Sequence, residues 1–291
     1  NFSNSEPSVL QAIEKICGRA PGFVEVDLAE DQAAREFFSH TDGLDAVMHF
    51  AAFLAVEESV RDPLKYYHNN LCSLINVLQG MKACRIPHLV FSSSCTVYGQ
   101  PDELPIHENA PVKPAGSPYG HTKQMAEDMI RSVIATGTLA AISLRYFNPI
   151  GAHDSGLIGE LPYGVPHHLV PYITQTASGQ REYVRVFGGD YSTPDGTAIR
   201  DYIHVVDVAQ AHLAALERLG ASTPGTFEVY NLGLGRGFSV LEMIRAFEKA
   251  TGIAVPYRVV SRRPGDIEQV WADTSRANAA LAWKASAASK R

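Results

Sequence analysis

The stretch Tyr119-Gly-His-Thr-Lys123 places a phenol and an ammonium four residues apart. On a helix, positions i and i+4 share one face. An ammonium beside a phenol favours the phenolate and draws its pKa down from about 10. Tyr119 is therefore expected to act as a base, with Lys123 as the charge that makes it one. Ser92-Ser93-Ser94 closes an apolar, β-rich run, and the Ser94 hydroxyl is expected to hold the same substrate oxygen. A Tyr-x-x-x-Lys pair also arises by chance on solvated helices. Its place on the helix that follows a Ser-rich strand end is what gives it weight. Cys17, Cys72, Cys84 and Cys95 form no C-x-x-C pair, so the expectation is a reduced protein without a metal. The adjacent His167 and His168 lack a third ligand at metal spacing and read as a loop contact.

These groups need a scaffold. Phe23–Val26, Ala46–Phe50, Leu89–Ser92 and Ala141–Arg145 read as strands. Between them, Glu30–Phe38, Pro63–Cys84 and Ser117 to about Thr136 read as helices, with Pro63 and Pro118 suited to first turns and Ser117 to an N-cap. Strands alternating with helices imply right-handed βαβ units around a parallel sheet, with ligands at the strands' carboxyl ends. After Pro149 the pattern loosens into Gly-, Pro- and His-rich loops, and Phe227–Asn231 reads as a strand returning to the sheet. Gly233-Leu-Gly-Arg-Gly237 is one position short of a dinucleotide fingerprint and reads as a turn near the substrate.

Composition removes other classes. The 291 residues are 45% hydrophobic and 19% charged, with 25 Lys+Arg against 31 Asp+Glu, a net charge of −6. No basic field is available for nucleic acid. No apolar run reaches the ~18–20 residues of a membrane span, and the opening Asn1–Ser5 is polar and uncharged, unlike a signal peptide. A cytoplasmic protein is expected, with neither nucleic acid nor membrane as partner.

Longer motifs narrow the field. His49-Phe-Ala-Ala52, Tyr66-Tyr-His-Asn-Asn70, Phe91–Gly99, Ser117–Lys123, Leu144–Ala152, Asp195–Val205 and Arg262–Asp266 together resemble the extended short-chain dehydrogenase/reductase family and, within it, the UDP-glucose (UDP-galactose) 4-epimerases. The resemblance runs over nearly the whole chain. It implies an α/β fold: a Rossmann-like doubly wound parallel sheet without its first strand and Gly-rich turn, and a smaller α/β C-terminal substrate domain. Residues 1–148 would bind NAD. Residues 149–291 would bind the UDP-sugar, with a segment of about 200–250 returning to the main sheet. The implied reaction is C4 oxidation of a UDP-hexose, rotation of the 4-keto sugar and re-reduction, as in galactose metabolism. Ser94, Tyr119 and Lys123 would be catalytic and the enzyme a homodimer.

The same resemblance assigns contacts. Asn1, Phe2, Ser3, Asn4 and Ser5 would flank the adenosine of NAD, and Asp27 and Leu28 the adenine. Phe50, Ala51, Ala52, Phe53 and Leu54 would line the dinucleotide, with Asn69, Tyr119, Lys123 and Phe147 beside the nicotinamide. Leu54 stands where these enzymes commonly carry a lysine. Ser94, Tyr119, Asn148, His168, Leu169, Arg185, Val186, Phe187, Arg200, Arg263 and Asp266 would meet the UDP-sugar. Val270 would wall the sugar pocket, its small size admitting a 2-acetamido group. Against the family, the chain reads as truncated at both ends and is expected to hold NAD weakly. Two rivals are a nucleotide-sugar 4,6-dehydratase, which would need Asp-Glu at Cys95-Thr96, and an inert nucleotide-sugar-binding fragment.

Overall fold

A computed structural model describes residues 2–3, 5–162, 164–263 and 266–286. The first part of the chain runs α1 (Ser8–Cys17), α2 (Asp31–Ser39), β1 (Ala46–His49), α3 (Val56–Arg61), α4 (Pro63–Cys84), β2 (His88–Ser94), α5 (Pro118–Ile134) and β3 (Ala140–Tyr146). It continues through β4 (Asn148–Ile150), α6 (Leu169–Ala177), β5 (Val184–Phe187), β6 (Ile199–Arg200), β7 (Tyr202–His204), α7 (Val205–Gly220) and β8 (Phe227–Leu232). The last elements are β9 (Phe238–Ser239), α8 (Val240–Thr251), β10 (Tyr257–Val260), β11 (Gln269–Val270) and α9 (Ser275–Ala280).

The main sheet has the order β1-β2-β3-β8, all parallel. Its strands are apolar on both faces because helices cover both. Leu89, Phe91 and Ala141 pack with Leu74, Val77 and Met81 of α4 and Ala126 and Ile130 of α5. The alternate residues Val90, Ile142 and Leu144 pack on the opposite face with Val208, Ala211 and Ala215 of α7. The two-residue period of the strand thus sends neighbouring side chains to different helices. Each fully buried Leu, Ile or Val here stabilises the fold by about 1.5–3 kcal/mol. Close approach matters at Gly80 of α4, where a Cβ would collide with the Phe38 ring of α2.

The helix starts follow the local chemistry. The Asp62 carboxylate accepts from Lys65 N ahead of Pro63, and Ser117 Oγ accepts from Gly120 N at 3.2 Å ahead of Pro118. Phe23–Val26, expected as a strand, forms no strand among the described residues, and Phe23 and Val24 are exposed. A strand needs a hydrogen-bonded neighbour, and among the described residues β1 pairs with β2 alone. The helix α1 escaped the sequence reading, although Val9, Leu10, Ile13 and Ile16 form an apolar stripe; none of its residues is buried.

Of the stretch expected to return to the main sheet, β8 pairs with β3 and α7 packs beneath it. In contrast, Leu241 and Ile244 of α8 pack with Val184 and Val186 of β5. Short ladders β5–β10, β4–β7 and β9–β6–β11 lie outside the main sheet.

Candidate active site

Ser94 ends β2 and opens a 3-10 turn, Cys95–Tyr98, by accepting from Thr96 N at 3.2 Å. Tyr119 sits in the first turn of α5, and its hydroxyl reaches Ser94. One turn further on, Lys123 is buried; its Nζ donates to Ser92 O at 2.7 Å and lies 5.0 Å from the Phe91 ring centre. The three side chains therefore meet at the carboxyl ends of parallel strands.

The electrostatics depart from the expectation. Nζ of Lys123 donates to Ser92 O and lies 5.9 Å from the Tyr119 ring centre, and its charge is not among the influences on the phenol. Burial pushes Tyr119 up to about 12, against the pull of the Ser94 hydrogen bond. Burial also lowers Lys123 to about 8, with Glu127 acting in the other direction. Desolvation outweighs the charge effect that the sequence spacing suggested.

Glu127 completes a stripe of Tyr119, Lys123 and Glu127 at i, i+4 and i+8. Its carboxylate accepts from Ser93 Oγ (2.6 Å), Ser143 Oγ (2.9 Å), Arg145 Nε (3.0 Å) and Arg145 Nη2 (2.6 Å). Burial works to raise it, but the arginine and the serines hold it below the ordinary carboxylate range. His49 at the end of β1 is lowered to about 3 by burial and by Lys123.

The loop after β1 is tied down by Asn70. Its Oδ1 accepts from Phe53 N at 2.8 Å, and its Nδ2 donates to Phe53 O at 3.0 Å and to Thr122 Oγ1 at 3.1 Å. Asn69 donates to Asn70 Oδ1. Phe50 and Leu54 are exposed, and Ala51, Ala52 and Phe53 lie along the same loop. Asp27 closes a turn on Ala29 N at 2.9 Å, and Leu28 O accepts from Asn76 Nδ2. The Phe2 ring contacts Phe23 at 5.4 Å, and Ser3 and Ser5 are exposed. Asn1 and Asn4 lie outside the described residues.

Among the residues expected to meet the UDP-sugar, two guanidiniums lie near the Phe187 ring centre, Arg185 at 5.3 Å and Arg263 at 4.8 Å. Asp266 holds Arg263 through two hydrogen bonds of 2.9 and 3.1 Å. Val186, between Arg185 and Phe187, faces the core instead, so only its backbone is open to a ligand. Arg200 stands in register with Val270. It does not pair with Asp201: its Nη1 donates to Ile199 O at 2.9 Å, leaving the remaining nitrogens for an anion. Asp201 is buried and accepts from the backbone N–H groups of Leu234, Gly235 and Ala272. That carboxylate fixes the turn at Gly233, where a Cβ would strike it. Asn148 N is held by Asp201 O, and its buried Oδ1 has no partner. His168 is exposed against Glu160, ahead of Leu169. Val270 is buried with Phe147, Tyr98 and Ile106, and Cys95 packs on that cluster.

Residues 3–233 match the model of the NAD dependent epimerase/dehydratase family. The UDP-glucose 4-epimerase of Bacillus subtilis (strain 168) is 48% identical over 286 residues, spanning 98% of this chain and 83% of that protein. The chain belongs to the UDP-glucose 4-epimerases of the extended short-chain dehydrogenase/reductase family. Its fold agrees. The crystal structure of UDP-glucose 4-epimerase from Bifidobacterium longum in complex with NAD+ and UDP superposes with a TM-score of 0.93 at 45% identity, covering 98% of this chain and 84% of that one. The enzyme from Stenotrophomonas maltophila, with bound NAD and formylated UDP-arabinopyranose, gives 0.92 at 47%, over 98% and 84%.

Within this epimerase fold, Asn70, Glu127 and Asp201 escaped the sequence reading. Each had a signal: Asn70 adjoins Asn69, Glu127 continues the Tyr119–Lys123 face, and Asp201 adjoins Arg200.

Proposed function

We propose that this chain interconverts UDP-glucose and UDP-galactose at the site built by Ser94, Tyr119 and Lys123. The observation that carries the reading is the convergence of these three side chains at the carboxyl end of β2. The donor set fits the nicotinamide end of NAD: a buried ammonium, a phenol and the Asn69 amide, next to a loop held open by Asn70. Leu54 offers no charge to a pyrophosphate. NAD, when bound, supplies the hydride acceptor and donor of the reaction.

Tyr119 Oη takes the proton of the sugar 4-hydroxyl while Ser94 Oγ holds that oxygen. After the 4-keto sugar turns over, Tyr119 returns the proton to the same oxygen. Because burial keeps the phenol protonated in the free protein, the fall that makes it a base comes with the filled site. Lys123, anchored on Ser92 O, orients the cofactor ribose beside it. Arg200 and Arg263 bind the diphosphate, since the planar guanidinium fork pairs with two phosphate oxygens. Asn148, with its unpartnered Oδ1, meets the same nucleotide, as do Arg185, Phe187, Asp266, His168, Leu169 and the Val186 backbone. Cys95 speaks against a dehydratase: burial pushes its thiol up to about 12, too weak an acid for that step.

In this reading residues 1–148 carry the cofactor and 149–291 the UDP-sugar. The protein works in the cytoplasm as a homodimer. The groove lined by Ile75, Leu78, Met129 and Val133, flanked by Lys82 and Asp128, supports the dimer. A two-fold axis there would set Lys82 of one copy against Asp128 of the other. Met129→Glu should yield monomers in analytical ultracentrifugation.

The test of function follows UDP-galactose conversion with NAD present. Wild type should form UDP-glucose, and Tyr119→Phe should lower turnover by roughly 10²–10⁴. No conversion by wild type would refute the reading.

A further inference from the structure

On the sheet face opposite α5, a hydrogen bond joins Tyr146 of β3 to His212 of α7, next to the end of β2. Nδ1 of His212 lies 2.8 Å from the carbonyl oxygen of Val208. A carbonyl only accepts, so Nδ1 carries the proton and Nε2 presents a lone pair. The Tyr146 hydroxyl, 2.5 Å from Nε2, therefore donates to the histidine. That leaves the Tyr146 oxygen free to accept, and the Ser92 side chain sits against it. Ser92 is also the residue whose carbonyl receives Lys123 Nζ. On the other side of the imidazole, Phe50 packs at 4.7 Å between ring centres. Both His212 and Tyr146 are enclosed among apolar neighbours, and burial disfavours the charged form of each.

We propose that His212 is a positioning residue of the redox site: by accepting the Tyr146 proton it fixes Tyr146 and Ser92, and with them the carbonyl on which the Lys123 ammonium rests, while its ring supports Phe50. The two bonds point the same way, from Tyr146 through His212 to Val208, so the first polarises the second. Removing the acceptor leaves the buried Tyr146 hydroxyl to find another partner, and Ser92 is the nearest one. The effect on turnover rests on the epimerase reading. The tautomer and the link to Lys123 do not.

Two measurements on the full chain test this. Histidine ¹⁵N spectra should show His212 neutral at pH 7 with its proton on Nδ1. A proton on Nε2, or a charged ring, would overturn the proposal. Lysine ¹³Cε spectra follow Lys123, which sits at about 8. Its other charged or titratable neighbours are His49 of β1, Tyr119 and Glu127 of α5, and Arg145 of β3 through Glu127. All of these remain in His212→Leu. Loosening the Ser92 carbonyl withdraws an acceptor from the charged amine, so Lys123 should titrate at lower pH in His212→Leu and in Tyr146→Phe. His212→Gln, whose side-chain oxygen can still accept, should keep it near wild type.

In turnover, His212→Leu and Tyr146→Phe should each lose about tenfold in kcat with KM changed less than about twofold. The double variant should be no worse than either single, and His212→Gln should recover most of the loss. Equal defects in His212→Leu and His212→Gln, or multiplicative losses in the double variant, would assign His212 a merely structural role. If His212→Leu does not fold, Tyr146→Phe, which removes one oxygen, carries the test. If wild type itself is inactive, the epimerase reading fails, and the two spectra still decide whether His212 positions Lys123.

Discussion

Replacing Glu127 by glutamine keeps the shape of the side chain and removes one charge from a dry site. Both partners of the Glu127–Arg145 pair are 4% exposed. The carboxylate accepts two serine hydroxyls and two guanidinium N–H groups. A glutamine offers one oxygen and turns an NH2 group toward donors: with its oxygen at the Oε1 position the Arg145 Nη2 bond fails, and with the amide turned over the other three fail. Arg145 has little to fall back on, since its Nη1 already lacks a partner and Tyr98, whose ring centre lies 4.7 Å away, carries no charge to replace the carboxylate. Breaking a buried pair by removing one partner costs about 3–5 kcal/mol. That is a large part of the ~5–15 kcal/mol that holds a typical domain together. The sign of the pH effect is fixed. The folded pKa of Glu127 lies below its ordinary value of 4.5, so its stabilisation is present above 4.5 and is lost as pH falls through the lower folded value. Urea titrations at pH 7 should therefore show Glu127→Gln less stable by about 4 kcal/mol. The gap from wild type should narrow on acidification below 4.5. A loss under about 1 kcal/mol at pH 7 would show that the pair does not carry the load argued from its burial. Glu127→Leu with Arg145→Met, which leaves no orphaned charge, should recover much of the stability.

Other outcomes follow from the same geometry. The cationic form of Lys123 is lost above about pH 8, so kcat/KM should fall on the alkaline side of that value and the limb should vanish in Lys123→Arg, as pH–rate profiles would show. Asp201→Asn places an NH2 group against backbone donors that now share a carboxylate; chemical denaturation should register a loss of roughly 2–4 kcal/mol. Val270 packs beside Cys95 and Phe147 next to Ser94 and Asn148, so wild type is expected to accept UDP-N-acetylglucosamine, and Val270→Tyr should lower kcat/KM for that sugar relative to UDP-glucose. An unchanged ratio would remove Val270 from the pocket wall.

Local sequence pattern was enough for the parallel sheet and for where on it Ser94, Tyr119 and Lys123 lie. Pro63 after Asp62 and Pro118 after Ser117 mark helix starts, and apolar runs such as Leu89–Phe91 mark strands, because capping and periodicity are local properties of the chain. Tyr119, Lys123 and Ser94 were legible for the same reason. What the tertiary structure decided is everything that depends on who lies opposite. Phe23–Val26 has strand composition but forms no strand among the described residues, since strand pairing is non-local. Val186 sits between Arg185 and Phe187 and faces the core, because β5 alternates. The pKa order of Tyr119 and Lys123 reversed the expectation from their spacing, since burial, which no spacing reports, outweighs a charge held 5.9 Å from the ring. Glu127, Asp201 and His212 are ordinary letters in the sequence. They gain their roles only when β2, β3 and α7 close around them and make each unpaired polar atom costly.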